Sequence, residues 1–113
     1  MNRDDFEKIS DEIYSKIKQI LTAKGNEYQS GENVFSNFET NAQDLGLTKY
    51  QIWSVYFSKH TKSILNAIKK NPENPNSLDL AEKFVGRIID AVAYLFLLNA
   101  MVKSKNTSEK NSK

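Results

Sequence analysis

Three groups of residues carry side chains that could do chemistry. The first is Lys59 and His60, set in "YFSKHTKSI", where His60 falls on an apolar helical stripe formed with Phe57 and Ile64. An ammonium and an imidazole at the edge of a bundle can meet phosphate or carboxylate oxygens. The bland reading is a histidine donating to a nearby carbonyl, with Lys59 laying its stem along apolar surface. The second group lies in "GRIIDAVAYL". Arg87, Asp90 and Tyr94 are three and four residues apart and share one helical face. A carboxylate there needs a partner, because an isolated buried charge is costly. An Arg87–Asp90 pair, a hydrogen bond to Tyr56 or Tyr94, or a bound ligand would each supply one. The third is the polar segment "KGNEYQSGENVFSNFE", residues 24–39. Its Asn26, Asn33 and Asn37 both donate and accept, and Tyr28 offers a flat face for stacking a base. The helix opening at "ENVFSNF" presents free N–H groups that attract anions.

Together these groups suit a phosphorylated nucleotide. Lys59, His60 and Arg87 would meet its phosphates, Tyr28 would stack on its base, and Asn37 and Asp90 would read polar edges. The same residues do not suit nucleophilic catalysis. No cysteine is present, no serine–histidine set has recognisable spacing, and no glycine-rich segment matches a Walker motif.

Four helices must position these residues. In the first, Phe6, Ile9, Ile13, Ile17 and Ile20 recur at helical spacing, with Asp4, Asp5 and Glu7 near its start and Gly25 as an expected stop. A long polar loop follows. The second helix is short, with Asn33 as its expected cap, an apolar set of Val34, Phe35, Phe38, Ala42 and Leu45, and Gly46 at its end. The third opens at Thr48, with Gln51 three residues on in a capping-box pattern, and runs to about Lys70 before the two prolines of "NPENPN". The fourth opens near Ser77 or Asp79 and continues to about Val102. It is apolar nearly all round from Ile88, which calls for burial by several neighbours or by another subunit. The expected fold is all-α, a four-helix bundle-like domain over residues 1–102 with the fourth helix central.

With 113 residues the chain suits one domain. The absence of cysteine removes disulfides and zinc–thiolate sites and fits a reducing cytoplasm. The charged N-terminus lacks a signal-peptide core, and the stretch from Ile88 to Val102 falls short of the ~20 residues that span a bilayer. A soluble, cytoplasmic protein without a membrane partner is expected. The formal charge of +2 hides an asymmetry, since the segment 103–113 holds four lysines and one glutamate, leaving −1 for residues 1–102. That body lacks the electrostatic footprint of a protein that grips duplex DNA or RNA. The segment 103–113 itself, without an aliphatic or aromatic residue, reads as a disordered polar tail.

The motifs "KGNEY", "NVFSNFE", "YFSKHTKSI" and "GRIIDAVAYLFLL", in this order, resemble small phage and prophage proteins of the nucleotide modification associated domain family. That family is similar in style to the all-α MazG-like nucleoside triphosphate pyrophosphohydrolases, which assemble as dimers or tetramers. The resemblance covers about residues 21–100. It implies a helical, homo-oligomeric protein that handles a nucleotide in the host cell, with Lys59, His60, Arg87 and Asp90 as site positions and Tyr28 and Asn37 on the loop side.

One departure separates the chain from the MazG-like enzymes. Those carry E-x-x-E and E-x-x-D sets that hold magnesium against the triphosphate, whereas "RIID" places Arg87 where the first acid would stand. The leading expectation is therefore capture of a small phosphorylated nucleotide without turnover and without a cofactor, with sequestering of a host-defence signal as one use. Magnesium-dependent pyrophosphohydrolysis is the alternative, with Glu27, Glu32, Glu39 and Asp90 as acids that could converge. A protein that inhibits a host enzyme through its surface helices is the third reading.

Overall fold

The computed structural model describes residues 1–27, 35–77 and 84–111. The fold is all-α and bundle-like, with four helices and no strand among the described residues. The chain forms two compact units, residues 1–34 and residues 35–113.

The first unit is built on α1 (Arg3–Glu27). The Asn2 side chain accepts from the Asp5 N–H at 2.9 Å, and Asp4 and Asp5 stand in the first turn where the helix dipole favours acids. An exposed Arg3–Glu7 pair at 3.2 Å spans one turn and contributes little. The helix does not stop at Gly25 but runs on to Glu27. A glycine inside a helix costs about 1 kcal/mol relative to alanine but does not by itself break the hydrogen-bond ladder. Along the apolar stripe Ile17 is buried and Ile13 and Ile20 are half-buried, while Phe6 and Ile9 are 62% and 42% exposed.

The second unit holds α2 (Ser36–Leu45), α3 (Lys49–Lys70), a single 3-10 turn (Pro75–Ser77) and α4 (Phe84–Asn111). Phe35 occupies the cap position of α2 with no side-chain cap, and Asn33, the expected cap, lies outside the described residues. Gly46 ends α2 in the left-handed region at φ 68°, and the following N–H of Leu47 donates back to the Ala42 carbonyl at 2.9 Å. Nothing lies within 4 Å of a Cβ built there, so Gly46→Ala meets backbone strain alone. The expected cost is about 1 kcal/mol, seen in thermal melts as a midpoint lowered by about 4 °C.

Thr48 and Gln51 close the capping box that starts α3. The Gln51 N–H donates to Thr48 Oγ1 at 3.1 Å, and the Thr48 N–H donates to Gln51 Oε1 at 2.8 Å. The helix ends at Lys70, ahead of the two prolines. Within this unit α3, rather than the fourth helix, is the hub, since it packs on α2, on the 3-10 turn and on α4. The buried set draws on all three helices: Phe38 and Ala42 from α2, Ile52, Trp53 and Ala67 from α3, and Ile89, Ala93, Leu97 and Met101 from α4.

Two expectations for the fourth helix need correction. It does not end near Val102; α4 continues to Asn111, through most of the segment expected to be a disordered tail. No proline or glycine follows Gly86, so nothing in the sequence stops it. The apolar span is also longer than Ile88 to Val102. Phe84–Ser104 has 21 residues and is long and apolar enough, by length and composition only, to cross a membrane. The expected start at Ser77 or Asp79 falls on the 3-10 turn and on residues outside the described ones.

Candidate functional site

The seam between α3 and α4 is fixed by two side-chain hydrogen bonds. Trp53 Nε1 donates to the Tyr94 carbonyl at 2.7 Å, and Arg87 Nη1 donates to the Ser63 carbonyl at 3.1 Å. Rising numbers on α3 therefore meet falling numbers on α4, which makes the two helices antiparallel. A groove of about 410 Å³ opens at the Arg87 end, lined by Lys59, Lys62, Ser63, Asn66, Ala67, Lys70 and Arg87.

The lining follows from helix geometry. Lys59, Ser63, Asn66 and Lys70 step along α3 by four, three and four residues and form one stripe beside the core-facing side. Arg87 reaches that stripe from the neighbouring helix. Four cations meet in the groove, and among the described residues no carboxylate lines it. Like charges so placed repel one another, and a concave wall concentrates their field, so an anion is the natural occupant.

Arg87 is the most constrained of the four. Its Nη1 is anchored on Ser63, and its Nε is buried without a hydrogen-bond partner. An orphaned buried donor costs about 1–3 kcal/mol, a cost that an acceptor oxygen would remove. The guanidinium is planar and always charged, so it can offer a fork to a phosphate or carboxylate. The i, i+3 spacing permits an Arg87–Asp90 pair, but no ion pair within 4.0 Å forms between them. Arg87 is drawn across the seam to α3 instead.

One to two turns along the seam lies a second cluster, centred on Tyr94. The His60 ring packs against the Tyr94 ring with centroids 4.7 Å apart. Phe38 of α2 meets both Tyr56 and Tyr94, at 5.8 and 6.4 Å. The Asn41 amide donates to the Tyr56 hydroxyl at 3.0 Å. The Lys59 ammonium lies 5.9 Å from the Tyr56 ring centre, within cation–π range. The Tyr94 hydroxyl is held above its ordinary pKa, first by burial, then by Tyr56, then by the negative charge of Asp90. Tyr94 is therefore a neutral phenol at physiological pH and can donate a hydrogen bond.

The expected site residues thus divide. Lys59 and Arg87 share the groove, whereas His60 and Asp90 are not among its lining residues; the His60 ring packs on Tyr94, and the charge of Asp90 acts on the Tyr94 hydroxyl. Asn37 is exposed on α2 and does not line the groove either. Tyr28 lies outside the described residues. Ser63, Asn66 and Lys70 were not singled out by sequence, although stepping from Lys59 by helical intervals reaches all three. Among the described residues, no three of His, Asp and Glu come together as a metal site. Of the acids considered for magnesium, Glu39 stands on α2 near Lys49, Asp90 stands on α4 one turn before Tyr94, and the side chains of Glu27 and Glu32 lie outside the described residues. Comparison with protein-family models, with curated proteins and with solved structures finds no match to this chain.

Proposed function

We propose that this protein binds a small phosphorylated nucleotide in the α3–α4 groove and holds it without turnover. The observation that carries the reading is the convergence of Lys59, Lys62, Lys70 and Arg87, with no acid among the described lining residues, together with the unpartnered Arg87 Nε. A site of this kind takes phosphate oxygens directly on protein cations rather than through magnesium, which needs carboxylates of its own. Farther along the seam, His60, Asp90 and the Tyr94 hydroxyl offer polar and aromatic contacts for the rest of the nucleotide. Arg87 and Tyr94 are seven residues apart, about 10 Å along a helix, so one extended ligand can address both. The resemblance to phage and prophage nucleotide-handling proteins supports the same reading. In that setting the biological use is removal of a nucleotide signal raised by host defence, inside the host cytoplasm, by a homo-oligomer.

Small molecules released by denaturing the purified protein, identified by mass spectrometry, give the first test. They are followed by calorimetry with a nucleotide panel in chelator and in magnesium. The expected result is binding that survives chelator and leaves the nucleotide intact. Conversion of a triphosphate to monophosphate and pyrophosphate only with magnesium would select the hydrolase reading instead. No heat and no thermal stabilisation with any nucleotide would leave the inhibitor of a host enzyme as the surviving one.

A further inference from the structure

The side of α4 turned away from α3 carries a pattern that the groove does not use. Arg87 and Tyr94 bond to α3, and Leu97 and Met101, on the same side of the helix, are buried. Roughly opposite lie Val85, Ile88, Val92, Leu95, Asn99 and Val102, at successive steps of 3, 4, 3, 4 and 3 residues. Leu95 and Val102 are 45% and 43% exposed, Asn99 is exposed, and Val85, Ile88 and Val92 are half-buried. Only 22% of the most apolar window of Phe84–Ser104 is buried.

We propose that this stripe pairs with the same stripe of a second copy of the chain, helix against helix, parallel and in register. Alternating steps of three and four are the seam of a two-helix coiled coil, with Val85, Val92 and Asn99 at the a positions and Ile88, Leu95 and Val102 at the d positions. A β-branched residue at a with leucine at d favours two strands, a combination that Val92 and Leu95 supply at the middle of the stripe, and one asparagine at a fixes register and partner number at some cost in stability. Asn99 also selects the direction. In a parallel pair it faces the Asn99 of the other copy, and each amide can donate to and accept from its counterpart. In an antiparallel pair centred on the stripe it would face Ile88, leaving a buried amide unsatisfied. The stripe is only about 26 Å long, too short to hold two free peptides together. Here the helix is already formed and anchored on α3, so pairing adds burial without helix nucleation. A bilayer suits this face less well, because spanning it would pull α4 off α3, break the Trp53–Tyr94 and Arg87–Ser63 bonds, and bury Arg87 and Asp90 in lipid.

Sedimentation equilibrium of the full chain tests the pairing. The native protein is expected to be a dimer. Leu95→Lys is expected to sediment as a monomer with an unchanged helical circular dichroism spectrum. Asn99→Val should keep the association but release the two-chain limit, so that larger assemblies appear. The chain has no cysteine, so Val102→Cys reports direction. Mild oxidation should join two chains by a disulfide if they run parallel, and should not if they run antiparallel. A native monomer, a dimer indifferent to Leu95→Lys, a dimer of Val102→Cys that does not cross-link, or a chain that floats with phosphatidylcholine vesicles instead of pairing would each overturn the proposal.

Discussion

Arg87→Ala should weaken nucleotide binding at least about tenfold, and more where the ligand carries two or more phosphates. Truncating one partner of a desolvated charge pair costs about 2 kcal/mol or more, and about 1.4 kcal/mol already corresponds to a factor of ten. Arg87 meets the condition, because its Nε is buried and its Nη1 is fixed on the Ser63 carbonyl. Lys62 and Lys70 are exposed, so Lys62→Ala and Lys70→Ala should cost less each and mainly flatten the salt dependence of binding. Arg87→Lys should not restore affinity, since an ammonium keeps the charge but loses the fixed fork. Calorimetry at two ionic strengths, on variants whose circular dichroism matches the native chain, separates these outcomes. Unchanged affinity in folded Arg87→Ala would remove the groove from the functional reading.

Part of this site was legible in the sequence, and the boundary has a physical cause. Lys59 and His60 are adjacent in the chain, and adjacent helical residues point about 100° apart. They therefore cannot serve one small cavity equally. His60 belongs to the apolar stripe with Phe57 and Ile64 and turns to Tyr94, while Lys59 belongs to the stripe continued by Ser63, Asn66 and Lys70. Arg87 and Asp90 show the complementary limit. Their spacing allows a pair along α4, but the Ser63 carbonyl across the seam holds Arg87, and no sequence pattern names a partner 24 residues away.

The helices themselves were legible wherever a local signal ends them. Gly46 adopts the left-handed conformation that few other residues adopt cheaply, Thr48 and Gln51 cap each other, and the prolines follow Lys70. At Gly25 the glycine is tolerated inside the helix instead of ending it, and beyond Val102 there is only a change of composition, so both helices run on. The centrality of α3 was hidden for a different reason. Apolar content marked the fourth helix, but α3 is the element that packs on α2, on the 3-10 turn and on α4, and part of α4's apolar surface faces outward.

That hub role makes Trp53 the position where a substitution should cost the fold most. Trp53 is 8% exposed, stacks on Phe57 with ring centres 4.8 Å apart, and donates to the Tyr94 carbonyl at 2.7 Å. Trp53→Ala removes the largest side chain in the seam and leaves a cavity that Ile52 and Ala67, on the same rigid helix, cannot fill. Such truncations cost about 3–5 kcal/mol, a large share of the ~5–15 kcal/mol typical of a whole domain. Trp53→Phe separates the contributions. The ring contact with Phe57 largely survives, and the Tyr94 carbonyl keeps its partner within α4, so the expected cost is about 1–2 kcal/mol. Trp53 is the chain's one tryptophan, so both variants must be followed by circular dichroism in urea rather than by fluorescence. A lower midpoint at constant slope reports lost stability, while a changed slope would report altered compactness. The native indole anchors the stretch of α4 that presents Tyr94 to His60. Binding by folded Trp53→Phe should therefore weaken less than binding by Arg87→Ala, because Arg87 stands two turns from Tyr94 along α4 and keeps its own anchor on Ser63.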